Sequence, residues 1–174
     1  MIPSQLNLGP ITASLVVGAG GEHVGPDGTS RSLGGPFDFE WFVSVRRRAE
    51  VILTSGRTYL DEAYVVPANA KLAVFSRRLR EADLAPGVIH ISELQASTFG
   101  DAVKHLLSLG FDGIHCEFGP TGFLATTAEP KVEAYLSAET IGGIERFTAK
   151  HGVDFEIVSS DGLFIARIGS VAVH

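Results

Sequence analysis

Short apolar runs that favour β-strands alternate with helical patterns along most of the chain, and this alternation limits the possible folds more than any other feature. Three such runs, Ile11 to Val17, Val51 to Leu53 and Lys71 to Phe75, are followed by small or polar residues typical of turns. Strands separated by helical segments pair in parallel, because the chain must cross over before it rejoins the sheet. We therefore predict an α/β domain with a mostly parallel central sheet.

The end of the chain predicts a different kind of pairing. Val153, Phe155 and Ile157 alternate with acidic residues, and Asp161-Gly162 can form a turn before Leu163 to Ile168 returns. This pattern is typical of a β-hairpin. We expect it to form an antiparallel edge on the otherwise parallel sheet.

The helix after the first long loop carries the most specific local prediction. Asp38 can act as its N-cap, and the helix then runs to about Arg48. Phe39, Phe42 and Val43 stand at i, i+3 and i+4, which is the spacing of a stripe that faces the core. Similar patterns predict strands at residues 88–91, 112–117 and 132–138. They predict helices at residues 101–109 and 144–150, and a short helix that begins near Pro120.

Composition limits the class of protein. The 174 residues, 45% of them hydrophobic, suit one globular domain over residues 1–174. Cys116 is the only cysteine, so no intrachain disulfide can form, and an unpaired thiol fits the reducing cytoplasm. No apolar run approaches the ~20 residues of a membrane span. Met1 to Pro10 carries no basic residue, so we expect no signal peptide.

The charges are spread unevenly. The net charge of -6 argues against a nucleic-acid binder, because such proteins neutralise phosphates. Residues 46 to 80 nevertheless hold eight basic against three acidic side chains, which is a local charge of +5. A basic island in an acidic protein favours a small anionic ligand. A solvated helix face followed by an arginine-rich turn would explain the same charges without a ligand.

Two turns have the composition of phosphate sites, in which backbone N–H groups near the start of a helix point outward. They are Ser55-Gly56-Arg57-Thr58 and Glu117-Phe118-Gly119-Pro120-Thr121-Gly122. Ser76 and Arg77 end the intervening strand and suit a phosphate monoester, which arginine binds in a planar fork. Each turn alone is more simply an ordinary strand-to-helix connection. Together with the arginines they favour a dinucleotide that carries a 2′-phosphate.

A series of short motifs occurs in the order found in one family. In chain order the matching residues are Ala13-Ser14-Leu15, Gly28-Thr29-Ser30, Leu33-Gly34-Gly35-Pro36-Phe37-Asp38, Arg46 with Ala49-Glu50, Thr58, Glu117-Phe118-Gly119-Pro120-Thr121, Val132 to Leu136 and Ile141-Gly142-Gly143. On these motifs the chain resembles, from about Ile11 to Ile168, the 5-amino-6-(5-phosphoribosylamino)uracil reductases of riboflavin biosynthesis.

The resemblance implies a dihydrofolate reductase-like three-layer sandwich and an NADPH-dependent reductase of a pyrimidine-like or other heterocyclic substrate. It also implies a cytoplasmic protein that forms homodimers. The implied cofactor residues are Ser55, Gly56, Arg57, Thr58, Ser76, Arg77, Glu117, Phe118, Gly119, Pro120 and Thr121. The implied substrate residues are Ser14, Val16, Ser30, Asp38 and Arg46.

Three positions depart from the pattern of that family. The substrate-facing Asp of the family is Val16 here, the first Gly of the late turn is Phe118, and the first Gly of the early turn is Ser55. We expect the ring of Phe118 to crowd a backbone that must approach a pyrophosphate closely. These departures keep open a second interpretation, a catalytically degenerate relative that acts as a ligand-binding or assembly protein.

The catalytic acid is unassigned, because valine cannot donate a proton. Glu22, His23 and Asp27 in the long glycine-rich loop are the candidates, although a solvated loop is the simpler explanation of them. The six histidines show no spacing typical of metal ligands, so we expect no metal site. We expect Cys116 to be a buried, unreactive thiol and Trp41 to be a core or dimer contact.

Overall fold

The computed structural model describes residues 6–169. His174, one of the six histidines in the sequence, lies outside the described residues. None of the described helices is long and apolar enough to cross a membrane. The described strands are β1 (Ile11–Val16), β2 (Val51–Ser55), β3 (Lys71–Phe75), β4 (Ile89–Ile91), β5 (Ile114–Glu117), β6 (Glu133–Ala138), β7 (Phe155–Ser159) and β8 (Phe164–Ile168). The described α-helices are α1 (Pro36–Arg46), α2 (Gly56–Asp61), α3 (Phe99–Ser108), α4 (Pro120–Thr126) and α5 (Ile141–His151).

All eight strands join one sheet in the order β4-β3-β2-β5-β1-β6-β8-β7. Every neighbouring pair from β4 to β6 is parallel, and β8 pairs antiparallel with both β6 and β7. The predicted mostly parallel sheet and the C-terminal hairpin are therefore confirmed. Because β1 lies between β5 and β6, residues from distant parts of the chain become neighbours at the centre of the sheet.

Helices cover both faces of the sheet, which confirms the expected three-layer sandwich. On one face, called here the α1 face, Trp41 and Val45 of α1 pack against Tyr135 of β6. On the other, called the α5 face, Phe123 of α4 and Phe147 of α5 belong to the larger hydrophobic core. The helix α3 packs on the α5 face, and α2 packs on the α1 face.

The start of α1 differs from the prediction. The helix begins at Pro36 with Gly35 as its N-cap, so Asp38 lies inside the first turn and does not cap it. Proline suits this first position because its φ is preset and the N–H that it lacks would be unpaired there. The carboxylate of Asp38 is thereby left available for a contact elsewhere.

The predicted core stripe of α1 is also wrong. Phe39 is 66% exposed, whereas Trp41 is 2% exposed and Val45 is buried. The i, i+4 pair of Trp41 and Val45 faces the sheet, so Phe42 and Val43 lie at the sides of the helix, half-buried. Spacing alone could not distinguish two overlapping apolar stripes on the same helix.

The helix α5 begins at Ile141, three residues before the predicted start. Its first turn packs tightly against the start of the loop that follows β1. A Cβ atom at Gly143 would lie 2.3 Å from the backbone oxygen of Gly18, so only glycine permits this approach. The loop of residues 18–35 contains no helix or strand. The close contact between Gly143 and Gly18 holds the start of this loop against α5.

We predict that Trp41→Ala lowers the free energy of unfolding by about 3–5 kcal/mol, because it leaves a large cavity under α1. The matched control is Phe39→Ala on the same helix, which should change that free energy by only about 0.5 kcal/mol because the ring is exposed. Urea denaturation of both variants measures the difference. Equal losses would contradict the observed orientation of α1.

Candidate functional site

Many of the predicted site residues gather where the parallel strands end. Val16 ends β1, Ser55 ends β2, Glu117 ends β5, and Ser76 directly follows β3. Parallel strands share their direction, so their carboxyl ends lie along one edge, where open α/β sheets usually bind ligands. The sheet divides this edge into a half on the α1 face and a half on the α5 face.

An ion pair organises the half on the α1 face. Glu117 is 5% exposed, and its two carboxylate oxygens accept hydrogen bonds from Nε and Nη2 of Arg46, each at 2.7 Å. The Tyr64 hydroxyl donates to the same carboxylate. This bidentate geometry holds the guanidinium in one plane, and Arg46 Cζ lies 4.3 Å from the centre of the Phe42 ring. The Arg46 side chain remains 25% exposed, so part of it reaches the surface.

The charge states of this cluster follow from its surroundings. Burial alone would lower the pKa of Arg46, but the hydrogen bonds and the charge of Glu117 outweigh burial and raise it. Burial and the Glu117 carboxylate raise the pKa of Tyr64 well above its usual value. Arg46 is therefore a cation and Tyr64 a hydrogen-bond donor over the physiological range. Glu117, predicted at the cofactor turn, directs its side chain to the α1 face instead.

His115 connects the ion pair to β1. Its Nδ1 lies 2.8 Å from Thr12 Oγ1, its Nε2 lies 3.0 Å from Ser14 Oγ, and Nε2 lies 3.7 Å from Glu117 Oε1. Burial lowers the pKa of His115 to about 4, although the nearby carboxylate opposes the shift. The ring is therefore neutral at pH 7, and a neutral ring offers one donor and one acceptor. Predicted substrate residue Ser14 is thus oriented by a buried histidine.

A second carboxyl group lies beside the end of β1. Asp38 Oδ1 accepts a hydrogen bond from Ser137 Oγ at 2.6 Å. Ser137 is the direct neighbour of Val16 in the register of β6 with β1, so Asp38 stands close to Val16. Burial raises the pKa of Asp38, the hydrogen bond from Ser137 lowers it, and the charge of Glu139 raises it, with a net increase.

The half on the α5 face contains a cavity of about 330 Å³. It opens between the loop after β1, the start of α4 and the helix α5. Burial lowers the pKa of His23, and the positive charges of Lys150, His151 and Arg57 lower it further. Arg146 and Lys150 outnumber Glu22, the one acidic lining residue, so the lining carries a net positive charge. Its lining residues are Gly20, Gly21, Glu22, His23, Pro120, Arg146, Lys150 and His151.

The first predicted phosphate turn forms the start of α2. Ser55 Oγ accepts a hydrogen bond from the backbone N–H of Thr58 at 3.1 Å, and its hydroxyl donates to Thr58 Oγ1 at 2.9 Å. A Cβ at Gly56 would lie 2.5 Å from Ser76 Oγ, so glycine lets this turn approach the end of β3. Arg57 is exposed and pairs with Asp61 at 3.3 Å.

The end of β3 is built as a compact turn with an exposed arginine. Ser76 Oγ accepts from the backbone N–H groups of Arg78 and Leu79, at 3.2 and 3.0 Å. Arg77 is exposed, and its Nη2 donates to the backbone oxygen of Ser97 at 2.9 Å. Arg77 therefore reaches solvent beside the turn that contains Gly56.

Phe118 does not crowd the second phosphate turn, so that prediction is wrong. The ring is 4% exposed and packs on Phe99 in the core of the α5 face, with ring centroids 4.6 Å apart. Side chains alternate along a strand, so Phe118 points to the face opposite Glu117. A Cβ at Gly119 would meet no atom within 4 Å, so the turn backbone borders open space.

The loop candidates are not brought together with Asp38. Glu22 and His23 line the cavity on the α5 face. Asp27 accepts hydrogen bonds from the backbone and hydroxyl of Thr29, which lower the pKa of its carboxyl group. The backbone N–H of Ser30 donates to Glu62 at the end of α2. Ser30, predicted to bind substrate, therefore packs against α2 through its backbone.

Several residues of the site escaped the sequence analysis. Tyr64 and Ser137 belong to no recognisable motif, and only the tertiary structure shows their roles. His115 could have been found, because it alternates with Glu117 across Cys116 and must share its face. Cys116 itself is fully buried, and burial raises the pKa of its thiol. In the part of the chain that the structure describes, no three His, Cys, Asp or Glu side chains are grouped to hold a metal ion.

No protein family model matches the sequence, and no curated protein matches it. Solved structures do match. A pyrimidine reductase-like protein from Corynebacterium diphtheriae is 18% identical over 97% of this chain and 98% of its own, with a TM-score of 0.69.

Two further structures carry more specific descriptions. A diaminohydroxyphosphoribosylaminopyrimidine deaminase/5-amino-6-(5-phosphoribosylamino)uracil reductase from Thermotoga maritima is 17% identical over 92% of this chain, with a TM-score of 0.64, and the match spans 56% of its length. The riboflavin biosynthesis reductase Rib7 from Saccharomyces cerevisiae is 10% identical over 95% of this chain and 93% of its own, with a TM-score of 0.60. At these identities the likeness concerns the fold: the chain has the dihydrofolate reductase-like fold of the riboflavin biosynthesis reductases.

Proposed function

We propose that the protein is an NADPH-dependent reductase that transfers a hydride to a C=N or C=O group of a pyrimidine-like or other heterocyclic substrate. The observation that carries the proposal is the presence of two unlike groups of polar residues beyond the carboxyl ends of the parallel strands. One is the cavity with Arg146 and Lys150 on the α5 face, and the other is the cluster of Arg46, Glu117 and Asp38 on the α1 face. Hydride transfer requires a cofactor and a substrate on either side of one short gap.

The residues on the cofactor side fit a phosphorylated dinucleotide. Arg146 and Lys150 supply positive charge to the cavity, and the backbone of Gly119 borders open space that a pyrophosphate could approach. Arg77 is an exposed guanidinium at the end of β3, as contact with a 2′-phosphate requires. When bound, the nicotinamide would supply the hydride, and the chain's own residues would orient it.

The residues on the substrate side fit a polar heterocycle. The Arg46 guanidinium is held in plane by Glu117 and is partly exposed, so it can donate to a substrate oxygen. The neutral ring of His115 holds Ser14, and Val16 offers an apolar surface for a ring. Since the Thermotoga maritima protein is named as a 5-amino-6-(5-phosphoribosylamino)uracil reductase, that compound is the first substrate to test.

Valine at position 16 favours the second interpretation, a catalytically degenerate relative that acts as a ligand-binding or assembly protein. One pair of measurements separates the two. A saturating concentration of NADPH, about 100 times its dissociation constant, should stabilise the protein by ~2.7 kcal/mol in a thermal melt. Oxidation of NADPH with the uracil compound then supports the reductase, whereas stabilisation without oxidation of NADPH by any heterocycle tested supports the binding protein. Absence of stabilisation by NADPH would contradict the reductase and support the assembly protein.

The proposed cofactor site predicts a preference for NADPH over NADH. A charge-assisted contact of Arg77 with the 2′-phosphate should contribute about 1.5–3 kcal/mol to binding. We expect Arg77→Ala to remove the preference. Arg80→Ala is the matched control, because Arg80 is exposed on the same turn but pairs with Asp83. Calorimetric titration of both cofactors measures the effect, and equal affinities in the unmodified protein would contradict the role of Arg77.

The proposed substrate site predicts that Arg46 cannot be replaced by lysine. Lysine keeps the charge but cannot bind both oxygens of Glu117 in a fork. Lysine at position 46 therefore cannot pair with Glu117 and also donate to the substrate as the guanidinium would. Loss of that charge-assisted hydrogen bond to the substrate costs about 1.5–3 kcal/mol, so KM for the heterocycle should rise at least about tenfold in Arg46→Lys. The affinity for NADPH should stay unchanged. Arg47→Lys, at the next and exposed position, should alter neither quantity.

A further inference from the structure

We propose that Asp38 is the proton donor of the reduction, an inference that rests on the proposed function. Hydride addition to a C=N or C=O group leaves a negative charge on nitrogen or oxygen, so a proton must be delivered on the substrate side. Asp38 is a carboxyl group on the α1 face that stands at the end of β1 and lies outside the Arg46–Glu117 ion pair.

The position of Asp38 is set by two elements. The first turn of α1 carries it, and Ser137 of β6 binds its Oδ1 at 2.6 Å. Ser137 pairs in register with Val16, and neighbouring strands lie about 4.8 Å apart. The carboxyl group therefore lies on the α1 face beside the end of β1. Arg46 follows eight residues later on α1, about 12 Å along the helix axis, with Phe42 between the two groups.

The surroundings of Asp38 raise the pKa of its carboxyl group. The side chain is half-buried, and burial raises the pKa of Asp38. The hydrogen bond from Ser137 opposes this shift, whereas the negative charge of Glu139, at the junction of β6 and α5, adds to it. A general acid works best when its pKa is brought toward the working pH.

The other acids near the site are less suited to this role. The Asp27 carboxylate accepts hydrogen bonds from Thr29 in the same loop, and these lower its pKa, which makes it a poorer proton donor. His23 lies on the α5 face and also has a lowered pKa. His115 is neutral and fully buried, and the Tyr64 hydroxyl is engaged in a hydrogen bond to Glu117.

The step balances with the reduced nicotinamide as the two-electron donor. The substrate carbon gains the hydride as a new C–H bond, and the π-electron pair of the C=N or C=O bond moves to the heteroatom. That heteroatom takes the proton from the Asp38 carboxyl, leaving a carboxylate and the amine or alcohol product. The nicotinamide is oxidised, and water reprotonates Asp38, which is half-exposed.

The test compares Asp38→Asn with the unmodified protein in single-turnover oxidation of NADPH by 5-amino-6-(5-phosphoribosylamino)uracil. We expect a loss of about 10²–10⁴-fold in rate, with NADPH affinity unchanged, and partial recovery in the double variant Asp38→Asn/Val16→Asp. Glu40→Gln, an exposed acid on the same helix, is the matched control and should keep the full rate.

The pH profile supplies a measurement that a purely structural role would not change. The rate should fall as pH rises through the pKa of Asp38, because the acid must be protonated. Ser137→Ala removes a hydrogen bond to the carboxylate and should move this fall to higher pH. Glu139→Gln removes a negative charge and should move it to lower pH. Carbon-13 NMR titration of the Asp38 carboxyl in the cofactor-free protein should show the same opposite shifts.

The outcomes are distinguishable. If Asp38→Asn keeps its rate within about threefold of the unmodified protein, or loses NADPH affinity in parallel with rate, Asp38 is not the donor. Shifts of the carboxyl pKa without matching shifts of the rate profile also overturn the role. If the unmodified protein neither binds nor oxidises NADPH, the proposed function itself fails, and the role of Asp38 with it.

Discussion

The Arg46–Glu117 ion pair is the interaction on which the arrangement of the site depends. It buries a carboxylate at the end of a central strand, and such a group is tolerated only when its hydrogen bonds are satisfied. Arg46 supplies two and Tyr64 supplies a third. The pair joins α1 to β5 across 71 positions of the chain. The position of the helix over the sheet therefore depends on the carboxylate of Glu117. Removal of either partner from a buried pair typically costs about 3–5 kcal/mol.

The helix α1 then carries the two ends of the proposed substrate cleft. Its first turn brings Asp38 to β6, and its last residue brings Arg46 to β5, with β1 lying between those strands. Trp41 and Val45 on its inner side anchor it to the sheet. A single amphipathic helix thus fixes the spacing of an acid and a cation. The separate cationic cavity lies on the opposite face, beside α5.

The departures from the family pattern differ in their structural consequences. Phe118 was expected to obstruct the cofactor turn, but the alternation of side chains on and after β5 sends its ring into the core. Val16 does remove a carboxyl group from β1. Another carboxyl group lies beside the same position, because Ser137 of the neighbouring strand binds Asp38 there. The effect of a substitution on the site therefore cannot be judged from the sequence until the neighbouring residues across the sheet are known.

The sequence by itself determined the class of fold, the parallel sheet with its terminal hairpin, and the strand ends at which Ser55, Ser76 and Glu117 lie. Those features follow from local patterns, namely apolar runs, turn residues and the common direction of parallel strands. Only the tertiary structure decided which residues touch. Asp38 and Ser137 are 99 positions apart, and no local pattern encodes the strand order that places β6 next to β1. Packing likewise decided which side of α1 contacts the sheet, because two apolar stripes overlapped in its sequence and the sheet could bury only one.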